Sequence, residues 1–355
     1  MFRCVLKLVL LLFALAPANA RGDLPQVKGW PLAMGTYQSG IYVLAPRDGV
    51  ALADVDGDKK LDVIASSGDK VYAWDATGKA LAGWPATLKG TAQAPPAVGD
   101  VDGDGDLEVV QVCRSLKYSE SSWVYVLHHD GKAATGWPMT FSTMVFLPVN
   151  LADLDGDGAQ DLLVPVSRWP PGGTLRAISG DGRQLGGTWS HDLGELPMAP
   201  PSVGSAGGGG KLSVLHATRD KLTLRDADGA AAAGFPVTPP TGYRFSGSAL
   251  LLDIDSVGPG ADAVAMITDT ASKGEAKVVI YATQGKPGVL TRTVTLAASG
   301  AVGVVGPVSG DMDGDGKREL VVGLRGLGFY IVDSAGKVTG PIKPLKDVQA
   351  APVLV

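Results

Sequence analysis

The chain has 355 residues, 45% of them hydrophobic, with 49 Gly, 24 Pro and a formal net charge of −5. That many turn formers point to short strands rather than helices. The acidic balance and the lack of a basic stripe argue against nucleic acid as a partner, and the two cysteines exclude a disulfide framework.

The first stretch reads as an export signal. Arg3 and Lys7 supply positive charge, Leu8–Ala16 is a short apolar run, and Ala18-Asn19-Ala20 is a small-residue cleavage site. The apolar run is too short for a permanent anchor. Residues 1–20 are therefore expected to be cleaved after Ala20, giving a protein that is secreted, periplasmic or displayed at the cell surface. Losing Arg3 and Lys7 takes the net charge from −5 to −7. No other membrane span is expected. Arg21-Gly22-Asp23 would follow the cut and reads as a chance tripeptide in a terminus. Cys4 leaves with the signal, so Cys113, inside the strand-like run Val109–Cys113, is expected to be a buried inert thiol.

Next comes an acidic nonapeptide, and it recurs. Asp54–Asp62 reads DVDGDKKLD, Asp100–Glu108 DVDGDGDLE, Asp153–Asp161 DLDGDGAQD and Asp311–Glu319 DMDGDGKRE. Carboxylates stand at positions 1, 3, 5 and 9: Asp54, Asp56, Asp58 and Asp62; Asp100, Asp102, Asp104 and Glu108; Asp153, Asp155, Asp157 and Asp161; Asp311, Asp313, Asp315 and Glu319. Two unit charges at about 4 Å repel by roughly 4 kcal/mol at an effective dielectric near 20, so each run calls for a cation among its acids. Hard oxygens at alternating positions fit Ca²⁺, with a backbone carbonyl available at position 7 from Lys60, Asp106, Ala159 or Lys317. Four sites are expected. A fifth, at Asp253 and Asp255, lacks the position-5 acid, has one extra residue and is left open. Ser205–Gly210 has no acids and should bind no metal.

These loops start a repeat of about fifty residues, the scale of a propeller blade. In each unit a short strand A enters the loop, as in Pro95–Gly99. Strand B leaves it (Leu61–Ser66, Leu107–Cys113, Leu162–Ser167, Leu212–Thr218, Ala263–Thr268, Leu320–Leu324). Strand C follows (Val71–Trp74, Trp123–Val126, Thr174–Ala177, Leu222–Leu224, Val278–Tyr281, Phe329–Val332). Strand D often opens with Gly-Trp-Pro, at Gly29, Gly83 and Gly136, with Gly234-Phe235-Pro236 as a variant. A proline cannot donate to a ladder, which suits D as the outermost strand. The Trp is expected to pack between blades.

The loops and the apolar strands after them resemble FG-GAP/VCBS repeats, the repeats of integrin-α-like calcium-binding propellers. The resemblance spans residues 24–355. The expected fold is all-β: a β-propeller occupying 21–355. Six full blades are expected, plus an incomplete seventh with its D strand at Gly29-Trp30-Pro31-Leu32 and its A strand at Ala350–Val355, so that the sequence would be truncated at its C-terminus. A closed six-bladed ring is the alternative.

Coordinated carboxylates are not free for acid–base work. His128, His129, His191 and His216 stand beside no nucleophile motif. The protein is therefore expected to be a non-catalytic, monomeric module that binds an extracellular protein or glycan through calcium-braced blades. A polysaccharide-lyase-like enzyme and a scaffold domain of a longer surface protein are the alternatives. Antiparallel alternation puts the A–B loops and C–D turns on one face, and the B–C and D–A connections on the other. The second face is richer in aromatic and basic residues: Tyr37, Tyr42, Lys117, Tyr118, Phe146, Arg168, Trp169, Tyr243, Arg244 and Phe245. Such side chains suit ligand contact, and the resemblance implies the same face; Tyr118, Trp169, Tyr243 and Arg244 are the candidate contacts.

Overall fold

The computed structural model describes residues 49–115, 121–168, 172–206, 210–254, 260–301 and 303–343. The proposed signal peptide and both end segments of the expected seventh blade lie outside these residues. All named elements are strands, in six antiparallel sheets that follow one another along the sequence.

Sheet 1 is β1 (Ala51–Ala53), β2 (Asp62–Ser67), β3 (Lys70–Trp74) and β4 (Ala86–Thr87). Sheet 2 has a split first strand, β5 (Thr91–Ala92) and β6 (Ala97–Gly99), which both pair with β7 (Glu108–Arg114); β8 (Ser122–Leu127) and β9 (Met139–Phe141) complete it. Sheet 3 is β10 (Asn150–Ala152), β11 (Asp161–Arg168), β12 (Gly172–Ile178) and β13 (His191–Asp192). Sheet 4 is β14 (Ser202–Gly204), β15 (Ser213–Ala217) and β16 (Leu222–Asp226). Sheet 5 again splits its first strand, β17 (Tyr243–Phe245) and β18 (Leu250–Leu252), before β19 (Asp262–Asp269), β20 (Ala276–Tyr281) and β21 (Leu290–Ala297). Sheet 6 is β22 (Gly303–Gly310), β23 (Glu319–Arg325), β24 (Gly328–Val332) and β25 (Val338–Ile342).

In sheets 2 to 5 the second strand is a largely apolar run because neighbouring sheets cover both its faces. Successive side chains point to opposite faces, so consecutive residues enter different cores. Val109 packs with Ile64, Val71 and Trp84 of sheet 1, while Val110 packs with Leu162 and Val164 of sheet 3. Likewise Leu162 faces sheet 2, and Leu163 joins Leu175, Trp189 and Val214 towards sheet 4. Five such clusters link the six sheets in sequence order. The short first strands of successive sheets lie against one another, which makes them the innermost.

The tryptophans pack between blades as expected, and they also bond. Trp84 Nε1 donates to His129 O at 2.8 Å, Trp137 Nε1 to Gly180 O at 2.7 Å and Trp189 Nε1 to Ala227 O at 2.8 Å, each time in the C–D turn of the next sheet. Gly83 makes the approach possible: its φ is +86°, and a Cβ there would lie 2.0 Å from Asp130 O.

Sheet 4 departs from the expected four strands. Its outer strand shrinks to a bridge between Leu222 and Val237. Pro236, Pro239 and Pro240 cannot donate to a longer ladder. Cys113 is fully buried, and burial pushes its thiol up to about 12, consistent with an inert side chain. No helix among the described residues is long and apolar enough to cross a membrane.

Candidate metal centres

The four acidic loops share one hydrogen-bonded frame. The position-1 carboxylate accepts the position-6 N–H in every copy: Lys59→Asp54 at 2.8 Å, Gly105→Asp100 and Gly158→Asp153 at 3.1 Å, and Gly316→Asp311 at 3.0 Å. In the last three it also accepts the position-4 N–H at 2.7 Å. Position 3 accepts from position 5, as Asp104 N→Asp102 Oδ1, and position 5 accepts from position 7, as Asp106 N→Asp104 Oδ1. This winding brings the acids round a common point. Glycine at positions 4 and 6 adopts positive φ, as at Gly103 (+77°) and Gly105 (+93°). In the first loop Lys59 takes the position-6 conformation with φ +68°.

The position-9 acid opens the following strand and turns inward. Asp62, Glu108, Asp161 and Glu319 are 1%, 0%, 2% and 6% exposed. Each accepts the position-2 N–H, from Val55, Val101, Leu154 and Met312, at 2.9, 2.9, 2.8 and 2.8 Å. Desolvation raises the pKa of Asp62 and Glu108 and lifts that of Asp161 to about 6. A buried acid so disposed is strained as an anion unless positive charge is nearby.

Ligand oxygens of Asp54, Asp56 and Asp58 lie within 4.8 Å of one another, as do those of Asp100, Asp102 and Asp104, of Asp153, Asp155 and Asp161, and of Asp311, Asp313 and Asp315. Oxygens 2.3–2.6 Å from one Ca²⁺ stand at most about 5 Å apart, so the spacing fits a single ion at each loop. Asp54 Oδ1 is also buried without a hydrogen-bond partner, an acceptor left for something else. The donors of these four sets are all oxygen, as a hard cation requires, while a further group at the second loop, Asp102, Glu108 and His128, adds an imidazole nitrogen.

The copies differ at their rims. Lys60 Nζ reaches Asp58 Oδ2 at 2.6 Å, and that bond is the main reason the Asp58 carboxyl sits below its usual range. In the second loop two histidines of the C–D turn join the acids. His128 Nδ1 is 3.3 Å from Glu108 Oε1 and 3.9 Å from Asp102 Oδ2, and His129 Nδ1 is 3.5 Å from Asp106 Oδ2. These contacts place A–B loops and C–D turns on one face, as expected. No motif connects His128 with the loop; the register that sets Val109 opposite Leu127 brings them together. Neighbouring loops also touch: Gln160 N donates to Asp100 O at 2.8 Å, and Ala261 N to Ser205 O at 3.2 Å. Asp255, of the fifth loop, lies outside the described residues. Trp189, missed in the sequence for want of a following proline, belongs with Trp84 and Trp137.

On the opposite face, Tyr118 and Trp169 lie outside the described residues. Tyr243 and Arg244 sit on β17, at the end of β19 remote from the loop. Tyr243 is engaged within its own sheet: its hydroxyl donates to Glu275 Oε2 at 2.6 Å, and Lys277 Nζ lies 4.4 Å from its ring centroid. Arg244 beside it is exposed.

Comparison with known proteins agrees with this architecture. The FG-GAP-like repeat family matches residues 54–111, which contain the first loop, the strands of sheet 1 after it, the second loop and the start of β7. No curated protein matches the sequence. Among solved structures, BBS1N in its complex with ARL6DN is similar with a TM-score of 0.57 at 14% identity, over 91% of this chain and 89% of that one. The Dos1 propeller gives 0.52 at 11%, over 81% and 68%. The periplasmic gluconolactonase PpgL of Pseudomonas aeruginosa gives 0.51 at 10%, over 86% of each. At such identities the likeness concerns the fold alone. The protein is an all-β propeller carrying FG-GAP-like repeats.

Proposed function

We propose that this protein is an exported, calcium-braced propeller that acts as a protein- or carbohydrate-binding module, with calcium in a structural role and recognition on the face opposite the loops. The observation that carries the reading is the fourfold recurrence of one frame, in which three carboxylates converge within 4.8 Å and the position-9 acid turns inward, itself one of the three in the third loop. Asp54, Asp56, Asp58 and Asp62 would hold the first ion, with the Lys60 carbonyl; the corresponding residues of the other three loops would hold theirs. Bound calcium supplies positive charge that offsets the repulsion among these acids and ties each A strand to its B strand. The acids at positions 1, 3, 5 and 9 would be taken up by the ions, so the reading is of a binding protein rather than an enzyme.

The test is a thermal melt of the mature protein with calcium and with chelator, alongside elemental analysis of dialysed protein. At a metal concentration 100 times the dissociation constant, each site adds about 2.7 kcal/mol. A rise in midpoint with calcium, reversed by chelator, is expected. An unmoved midpoint with no bound calcium would reject the reading.

A further inference from the structure

On the face opposite the acidic loops, a cleft of about 250 Å³ opens between sheets 2 and 3. One wall is the end of β9 and the residues after it, Thr140 to Thr143. The other comes from β11 and β12, with Arg168, Thr174 and Arg176. Thr174 and Arg176 are two residues apart on one strand and so share a side. Among the described residues no carboxylate lines the cleft.

Arg176 is the unexplained group. Its Cζ lies 5.7 Å from the Phe141 ring centroid, and Phe141 is itself buried. Its Nε is enclosed and has no acceptor. Among the described residues Arg176 makes no hydrogen bond or ion pair, whereas Arg168 at the rim has Asp192 at 3.1 Å and Arg183 has Asp181 at 3.8 Å. Holding a guanidinium half-buried without an anion is costly, and this protein has carboxylates in excess, so a partner could have been supplied from within. The arginine sits over an aromatic ring and, among the described residues, its donors are unspent.

We propose that this cleft binds the carboxylate of an acidic sugar residue, with Arg176 as the anchor. A planar guanidinium matches a carboxylate with two parallel hydrogen bonds. Thr140, Ser142, Thr143 and Thr174 provide hydroxyls that both donate and accept, which is what ring hydroxyls need. The volume falls below the roughly 300–1,000 Å³ of drug-sized sites and so limits the occupant to about one ring. The proposal rests on the reading of this face as the recognition face.

The experiment is a calorimetric titration of the calcium-loaded mature protein with galacturonate, with galactose and with a glutamate-rich peptide. Binding of galacturonate in preference to both others is expected. Arg176→Gln should weaken it about 10- to 100-fold, the loss typical of a hydrogen bond to a charged group. Thr174→Val, which keeps the shape, should weaken it a few-fold. The calcium-dependent melting shift of each variant is measured in parallel; it should match the wild type, which separates loss of the cleft from loss of the fold or of the metal sites. Galacturonate binding that is absent, matched by galactose, exceeded by the peptide or unaltered in Arg176→Gln would overturn the proposal while leaving the calcium result standing.

Discussion

His216 lies in β15 and is 1% exposed, and neither ring nitrogen has a hydrogen-bond partner of normal geometry. Desolvation, helped by the charge at His191, lowers its pKa from 6.5 to about 4, and the backbone of Ala199 offsets a little of this. His191, on β13, itself lies 2.7 Å from the Arg225 guanidinium, on β16. The native state therefore keeps His216 neutral at a pH where the unfolded state protonates it. Its contribution is intact above pH 6.5 and is lost as pH falls from 6.5 towards 4, because the unfolded state then binds the extra proton. A shift from 6.5 to about 4 corresponds to about 3 kcal/mol in full, of which about 2 kcal/mol is lost between pH 7.5 and pH 5. The perturbation is His216→Leu, which removes the titrating group and two unpartnered nitrogens together. Urea denaturation in saturating calcium, at both pH values, gives the comparison. Wild type should lose about 2 kcal/mol more than the variant, and the variant should be at least as stable at pH 7.5. Equal pH dependence in the two proteins would refute the reasoning, because the remaining acids are common to both.

Trp84→Phe should cost about 1 kcal/mol by stranding the His129 carbonyl, and an unchanged urea midpoint would show that the indole bond is idle; Phe235 shows that a benzyl ring fits the equivalent place. Lys59→Gly should raise stability by up to about 1 kcal/mol in a denaturant titration, because Lys59 occupies a left-handed conformation that glycine adopts freely. A fall in stability would mean that the Lys59 stem contributes packing that outweighs its backbone cost.

The parts of the fold that repeat are readable from the sequence alone. The B strands announce themselves as β-branched runs after each acidic loop, and their observed limits lie within one or two residues of the expected ones, as for Leu107–Cys113 against Glu108–Arg114. The loops are readable because their spacing is itself the ligand geometry. The outer strands are harder. β4 and β13 have two residues each, and so short an edge is decided by where the preceding turn releases the backbone. The split of the first strand in sheets 2 and 5 is hidden too, since Thr91–Ala92 and Tyr243–Phe245 carry no periodicity of their own. Arg176 does not stand out within Thr174–Ala177 because its lack of a partner is a property of two sheets together. His128 meets Glu108 unannounced for the same reason: a contact between a turn and a loop 20 residues earlier depends on register rather than on motif.

Neighbouring sheets are fastened on the loop face in two ways, between adjacent A–B loops and, farther out, from an indole to the next turn; sheets 2 and 3 carry both. These two fastenings follow different rules of inheritance. The inner one uses a backbone N–H and a backbone carbonyl, Gln160 to Asp100 and Ala261 to Ser205, and so survives any substitution that leaves the loop path intact. The outer one needs a tryptophan and a close glycine. A unit can then lose its acids, as Ser205–Gly210 has, and stay tied through Trp189 and Ala227, or lose its indole, as at Phe235, and stay tied through the backbone. Among the described residues sheets 2 and 3 carry both ties, whereas sheets 3 and 4 or sheets 4 and 5 carry one, so either kind can join neighbouring units whose repeats are uneven in their chemistry.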